Sequence, residues 1–165
     1  MSLTATVAIA TAIMIWAVIE DLRTRKFSNR TFLLVTVVAI IASVVIGGPR
    51  ALIASTLGFG AGIIFFLPLV LTGIVGAGDM KLMAAVGILI GWDSVLWTGI
   101  YGLVWASIFG IAQIIAKGEG KTLVQNLTSL AVSRSKSGLT LHHIPFTAPL
   151  LLGWLSQVTL LGVAR

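Results

Sequence analysis

"ALIASTLGFGAGIIFFLPLVLT", residues 51–72, is an apolar run without a single charged side chain. A hydrocarbon core takes about 20 predominantly apolar residues per helical crossing, so this run reads as a membrane span, with Pro68 tolerable near its end. Before it lie two more such runs, about Leu3 to Ile19 and about Thr31 to Ile46, the second closed by "GGPR" at 47–50. After it, "GIVGAGDMK" at 73–81 breaks the pattern. A short fourth helix follows, about Met80 to Ile90, too brief to cross a full bilayer, so its polar end is expected at membrane depth, shielded by protein. A fifth span is expected at about Val95 to Ala116 and a sixth at about Ile144 to Val163. The fold class expected is therefore all-α: a polytopic membrane bundle of about six transmembrane helices, the fourth short, in a single domain over residues 1–165.

Composition agrees. The chain is 58% hydrophobic and 10% charged, which excludes an ordinary soluble globule. Its net charge of +6 does not point to nucleic acid, because the basic residues lie in clusters between the apolar runs. With the N-terminus outside, Arg23, Arg25, Lys26, Arg30, Lys81, Lys117, Lys121, Arg134 and Lys136 face the cytoplasm, leaving Arg50 and Arg165 outside. That is a clear positive-inside bias, and Trp92 and Trp97 around Asp93 suit an outer aromatic belt. The absence of cysteine excludes disulfides, cysteine-ligated zinc and thiol catalysis. A cleavable signal peptide is the alternative for the first run, but that run lacks a basic start and ends in Glu20, Asp21 and Arg23, so it reads as a retained helix. In the connection after residue 116, Leu123, Leu127 and Leu130 recur at helical spacing, as in a helix lying in the interface or within a linker.

Two aspartates stand out against this background. The topology brings Asp21 and Asp79 to the same side, each at a helix end. Read blandly, Asp21 is a juxtamembrane charge and Asp79 the N-cap of the fourth helix. Read chemically, ionisable groups at the membrane boundary are costly unless solvated, paired or used. Gly76 and Gly78 before Asp79 permit unusual backbone conformations and close helix approach. Two carboxyl groups held together would share a proton, one acting as base on a water and the other as acid toward a carbonyl, as in aspartic proteases.

"GAGDMK", residues 76–81, is similar to the GxGD motif of intramembrane-type aspartic proteases, and in its GxGDxK form resembles the type IV prepilin peptidases. "DLRTRKFSNR", from Asp21, resembles that family's first catalytic stretch, with Phe27 and Ser28 where Ile and Pro are usual and Asn29 retained; "HIPFTAPLLLG", from His143, looks like its last-helix signature. The resemblance covers essentially the whole chain. It implies Asp21 and Asp79 as the catalytic pair, with Gly76, Gly78, Lys81 and Asn29 as supporting residues. It further implies a bacterial inner-membrane endopeptidase that removes the leader of prepilin or pseudopilin precursors at the cytoplasmic face, after a glycine, with no metal or organic cofactor. With neither room nor cysteine for a methyltransferase segment, the chain resembles the short, CpaA/TadV-like enzymes of Flp/Tad pilus systems. Presenilin-like proteases share GxGD but pair it with Tyr-Asp, whereas Asp21 follows Glu20. From a different class, a small transporter or channel subunit with proton- or cation-binding aspartates is the alternative, though it has no reason to combine the three motifs.

Other conspicuous residues read as structural. His142 and His143 lack an obvious third metal ligand. "GFGAG" at 58–62, and Gly102, Ala106 and Gly110 at four-residue spacing, read as small-residue helix packing. Glu20 points about 100° away from Asp21 on a helix and is at most a modulator of the pair. Lys81 can interact with Asp79, bind lipid phosphate or snorkel. The basic residues have the wrong sign to attract a basic leader and are assigned to topology, with anionic lipid as a further partner.

Overall fold

The computed structural model describes residues 2–24, 28–116 and 146–160. Every element among them is a helix: α1 (Ser2–Thr24), α2 (Asn29–Gly47), α3 (Ala51–Leu71), α4 (Ala77–Ala116) and α5 (Thr147–Leu160). The first four are long and apolar enough to cross a membrane. Their outward faces are correspondingly greasy, Ile53, Ile64 and Leu71 being 72%, 75% and 77% exposed, as expected where lipid is the solvent. The chain divides into two compact units, residues 1–105 with 145–165, and 106–144. Within the second, the described residues are the closing turns of α4. The leucine-patterned connection, His142 and His143 lie outside the described residues, as do Arg25, Lys26 and Phe27.

The expected fourth and fifth helices are the two limbs of α4, and the break expected between Ile90 and Val95 is a fold at Gly91. Its φ of 80° and ψ of 167° belong to a region that side chains with a Cβ rarely enter. The chain reverses there. A Cβ placed on Gly87 would lie 2.9 Å from the Val95 side chain, two residues that a straight helix holds about 12 Å apart. The first limb, residues 77–90, is about 21 Å long, short of a hydrocarbon core of about 30 Å. The expected sixth span, about Ile144 to Val163, is helical over Thr147–Leu160, with residues 144–145 and 161–163 outside the described residues.

Lipid tails are as apolar as leucine, so helices in a membrane associate through close backbone approach and hydrogen bonds rather than through a hydrophobic force. Both devices are present. Gly58 of α3 lies against the Gly87 carbonyl, and a Cβ on Gly62 would sit 2.6 Å from the Cα of Ala84, so "GFGAG" is a packing surface. Gly102 meets Leu150, and Gly153 meets Gly102 and Thr98, which seats α5 on the second limb of α4. The Cβ position of Gly110 meets nothing among the described residues, so within them the four-residue series shows packing at Gly102 and not at Gly110. Buried hydroxyls provide the hydrogen bonds. Ser43 of α2 bonds Ser55 of α3 at 2.6 Å, and Ser55 donates to the Ile88 carbonyl at 2.9 Å. The Ile88 carbonyl lies in the last turn before the fold at Gly91, where helix carbonyls commonly need partners from outside the helix.

Candidate active site

Four helix ends meet at the end of the bundle opposite Gly91. Asp21 lies one turn from the end of α1, and Asn29 and Thr31 lie in the first turn of α2. Asp79 and Lys81 lie in the first turns of α4, and Thr147 begins α5.

The approach to Asp79 is built by a helix stop and a helix start. α3 ends in a left-handed Gly73, φ 78°, whose N–H bonds the Val70 carbonyl at 3.0 Å while Ile74 N–H reaches Leu69 at 2.9 Å. This paired closure of the last turn is a common C-terminal cap and turns the chain sharply toward Gly76. α4 then begins at Ala77, with Gly76 in the capping position and its carbonyl accepting from Asp79 N–H at 3.1 Å. Asp79 is thus the third residue of the helix and not its N-cap. Its carboxylate reaches back toward the Gly76 N–H. An acid at this position satisfies orphan donors of the first turn and complements the helix dipole.

The two GxGD glycines act differently from the sequence expectation. The glycines with positive φ among the described residues are Gly48, Gly73 and Gly91, not Gly76 or Gly78. Gly78 is an ordinary helical residue, and Gly76 gives room: a Cβ there would lie 3.1 Å from Asp79 Oδ2.

Asp21 is brought to Asp79 from the other side. The charge of Asp21 acts on Asp79, so the two carboxyl groups are electrostatic neighbours although 58 positions separate them in the chain. Asp21 Oδ2 accepts a hydrogen bond from the Thr147 hydroxyl. Glu20 turns away, as its helical offset dictates, and accepts from the Thr31 hydroxyl at 2.5 Å. Thr31 is itself joined to Ser28, whose side chain lies 2.9 Å from the Thr31 hydroxyl and accepts the Thr31 N–H at 3.1 Å. Ser28, at a position where the resembled stretch usually has proline, therefore caps α2.

Lys81 donates to Asn29 Oδ1 at 2.7 Å, joining the start of α4 to the start of α2. Two residues along a helix do not face each other, so Lys81 and Asp79 point in different directions from one backbone. Sequence reasoning missed Thr31 and Thr147. The second lies inside the noted "HIPFTAPLLLG" stretch, but a threonine among apolar residues carries no signal until its partner is known. Among the described residues no group of three or more histidine, aspartate or glutamate side chains is placed to hold a metal ion.

A model of the type IV leader peptidase family matches residues 8–115. The chain belongs to the type IV leader peptidase family. The matched stretch contains Asp21, Asn29, Gly76, Gly78, Asp79 and Lys81, and it ends before α5. No curated protein and no solved structure gives a match to the chain. Family membership makes the protein a peptidase, and its apolar helices make it a multi-pass membrane protein.

Proposed function

We propose that the chain is an aspartic endopeptidase of the bacterial inner membrane, with Asp21 and Asp79 as its catalytic pair. It removes the leader of prepilin or pseudopilin precursors, of the Flp/Tad type, at the cytoplasmic face. The observation that supports this reading is the electrostatic influence of Asp21 on Asp79, two carboxyl groups from different helices of a leader peptidase family bundle. In such a pair one carboxylate takes a proton from a water, whose oxygen bonds to the scissile carbonyl carbon. The protonated partner gives its proton to the carbonyl oxygen. The resulting tetrahedral diol collapses as the C–N bond breaks: the leaving nitrogen receives the proton held by the first carboxyl, and one diol hydroxyl returns its proton to the partner carboxylate as the new carbonyl forms. Gly76 N–H fixes Asp79, and the Lys81–Asn29 bond ties the two motif segments together.

The distribution of basic residues favours a cytoplasmic location for this end of the bundle, with the N-terminus outside. About six apolar helical segments follow if each limb of α4 counts separately, the first of them too short to cross a full bilayer. The apolar helix of the precursor lies in lipid against the bundle, which delivers its leader junction to the aspartates.

The test is cleavage of a prepilin-derived substrate by the purified full chain in lipid nanodiscs. Wild type cleaves; Asp21→Asn and Asp79→Asn each lose at least about 1000-fold in kcat while remaining folded, because the near-isosteric amide can neither take nor give the proton. Substantial turnover by either variant removes that residue from the pair.

A further inference from the structure

We propose that Thr147 is the positioning residue of Asp21, holding one carboxylate oxygen so that the other is presented to the reaction. The proposal rests on the peptidase reading and deepens it.

Thr147 is 3% exposed and opens α5, and its hydroxyl donates to Asp21 Oδ2. A threonine in the first turn of a helix ordinarily turns its hydroxyl to its own backbone. Here the hydroxyl crosses to another helix and engages a carboxylate. Rotation about the last torsion of an aspartate is broad and nearly two-fold, so a free carboxylate samples many orientations of its plane. A donor fixed on Oδ2 selects one of them and leaves Oδ1 as the oxygen presented to the reaction. Such preorganisation is worth most where a small misplacement of the reacting atoms is costly.

A positioning role requires that Thr147 itself be held, and α5 is secured on two sides. Trp154, two turns beyond Thr147 on the same face, donates its indole N–H to Thr11 Oγ1 at 2.8 Å, and Thr11 donates to the Val7 carbonyl at 2.7 Å. Thr147 and Trp154 thus grip α1 at Asp21 and Thr11, which fixes the axial position of α5 along α1. On the other side, Thr98 donates to buried Gln157 at 2.6 Å, and Trp105 Nε1 donates to Ser156 at 3.0 Å, joining α5 to the second limb of α4. Pro149 sits in the first turn, where its missing N–H removes no helical bond and its fixed φ favours the helix. The donor is therefore rigid before substrate arrives.

The test uses the full chain in nanodiscs with the prepilin-derived substrate, measuring kcat, KM and the melting temperature of Thr147→Val, Thr147→Ala and Thr147→Ser. Valine matches the shape of threonine without the hydroxyl, whereas serine keeps the hydroxyl. The expected result is a fall in kcat of about 10- to 100-fold for Thr147→Val with KM within about twofold, and recovery to within about threefold of wild type for Thr147→Ser. If Thr147→Val does not fold, the comparison of Thr147→Ser with Thr147→Ala carries the same contrast, serine active and alanine at least about tenfold slower. A kcat of Thr147→Val, or of Thr147→Ala, equal to that of Thr147→Ser overturns the proposal, as does a loss confined to melting temperature or KM. These outcomes differ from failure of the peptidase reading, which would show as no cleavage by wild type or as full cleavage by Asp21→Asn.

Discussion

Gly76→Ala tests a glycine of the motif that lies against a candidate catalytic group. Its added Cβ would lie 3.1 Å from Asp79 Oδ2, whereas ordinary van der Waals contact begins at 3.4 Å. Because φ at Gly76 is not positive, alanine fits the backbone, and relief must come from a shift of about 0.3 Å in the carboxylate or in the first turn of α4. A displacement of about 1 Å costs about 100-fold in rate, so 0.3 Å corresponds to about fourfold, or about 0.8 kcal/mol of transition-state stabilisation. The bulkier Gly76→Val adds two further methyl groups toward the same oxygen and is expected to lose at least about tenfold. The assay is steady-state cleavage of a prepilin-derived substrate at matched amounts of folded protein. Gly60→Ala serves as control, since a Cβ there meets nothing within 4 Å. The loss should appear in kcat and not in KM. Wild-type kcat for both Gly76 variants would refute the argument, because Asp79 would then either tolerate displacement or play no part in the chemistry.

Gly58→Ala drives a methyl group into the Gly87 carbonyl and should destabilise the bundle by about 1–3 kcal/mol, seen as a lower melting temperature in detergent, while Gly60→Ala leaves it unchanged. An unaltered melting temperature would mean that α3 and α4 separate without cost. Lys81→Met and Asn29→Ala should each slow cleavage only about threefold, because the bond is exposed, and the double variant should be no slower than the worse single one. Multiplicative losses would show that the two side chains act separately.

The sequence by itself determined the class of the protein and most of its helices, because a membrane helix is written locally: twenty or so apolar residues in succession leave no other stable form for the backbone. The runs that became α1, α2 and α3 were legible for that reason, and the polar break at 73–81 marked the entrance to α4. Asp21 and Asp79 were legible as exceptions, carboxylates in surroundings that charge them heavily for being there. Other features depended on partners distant in the chain and were not readable from it. Gly76 makes room for a carboxylate, while the positive φ expected of the motif falls at Gly73 and Gly91, since backbone torsions are set by where the chain must turn in three dimensions. The break between Ile90 and Val95 was legible, but not that Gly91 folds α4 back on itself there, and Ser55 meets the Ile88 carbonyl only because α3 packs beside it. Thr147 and Asp21 stand 126 residues apart, and a hydroxyl in an apolar helix says nothing about its partner until packing supplies one. Local hydropathy fixed what the segments are; the close approach of small residues decided which polar groups they bring together.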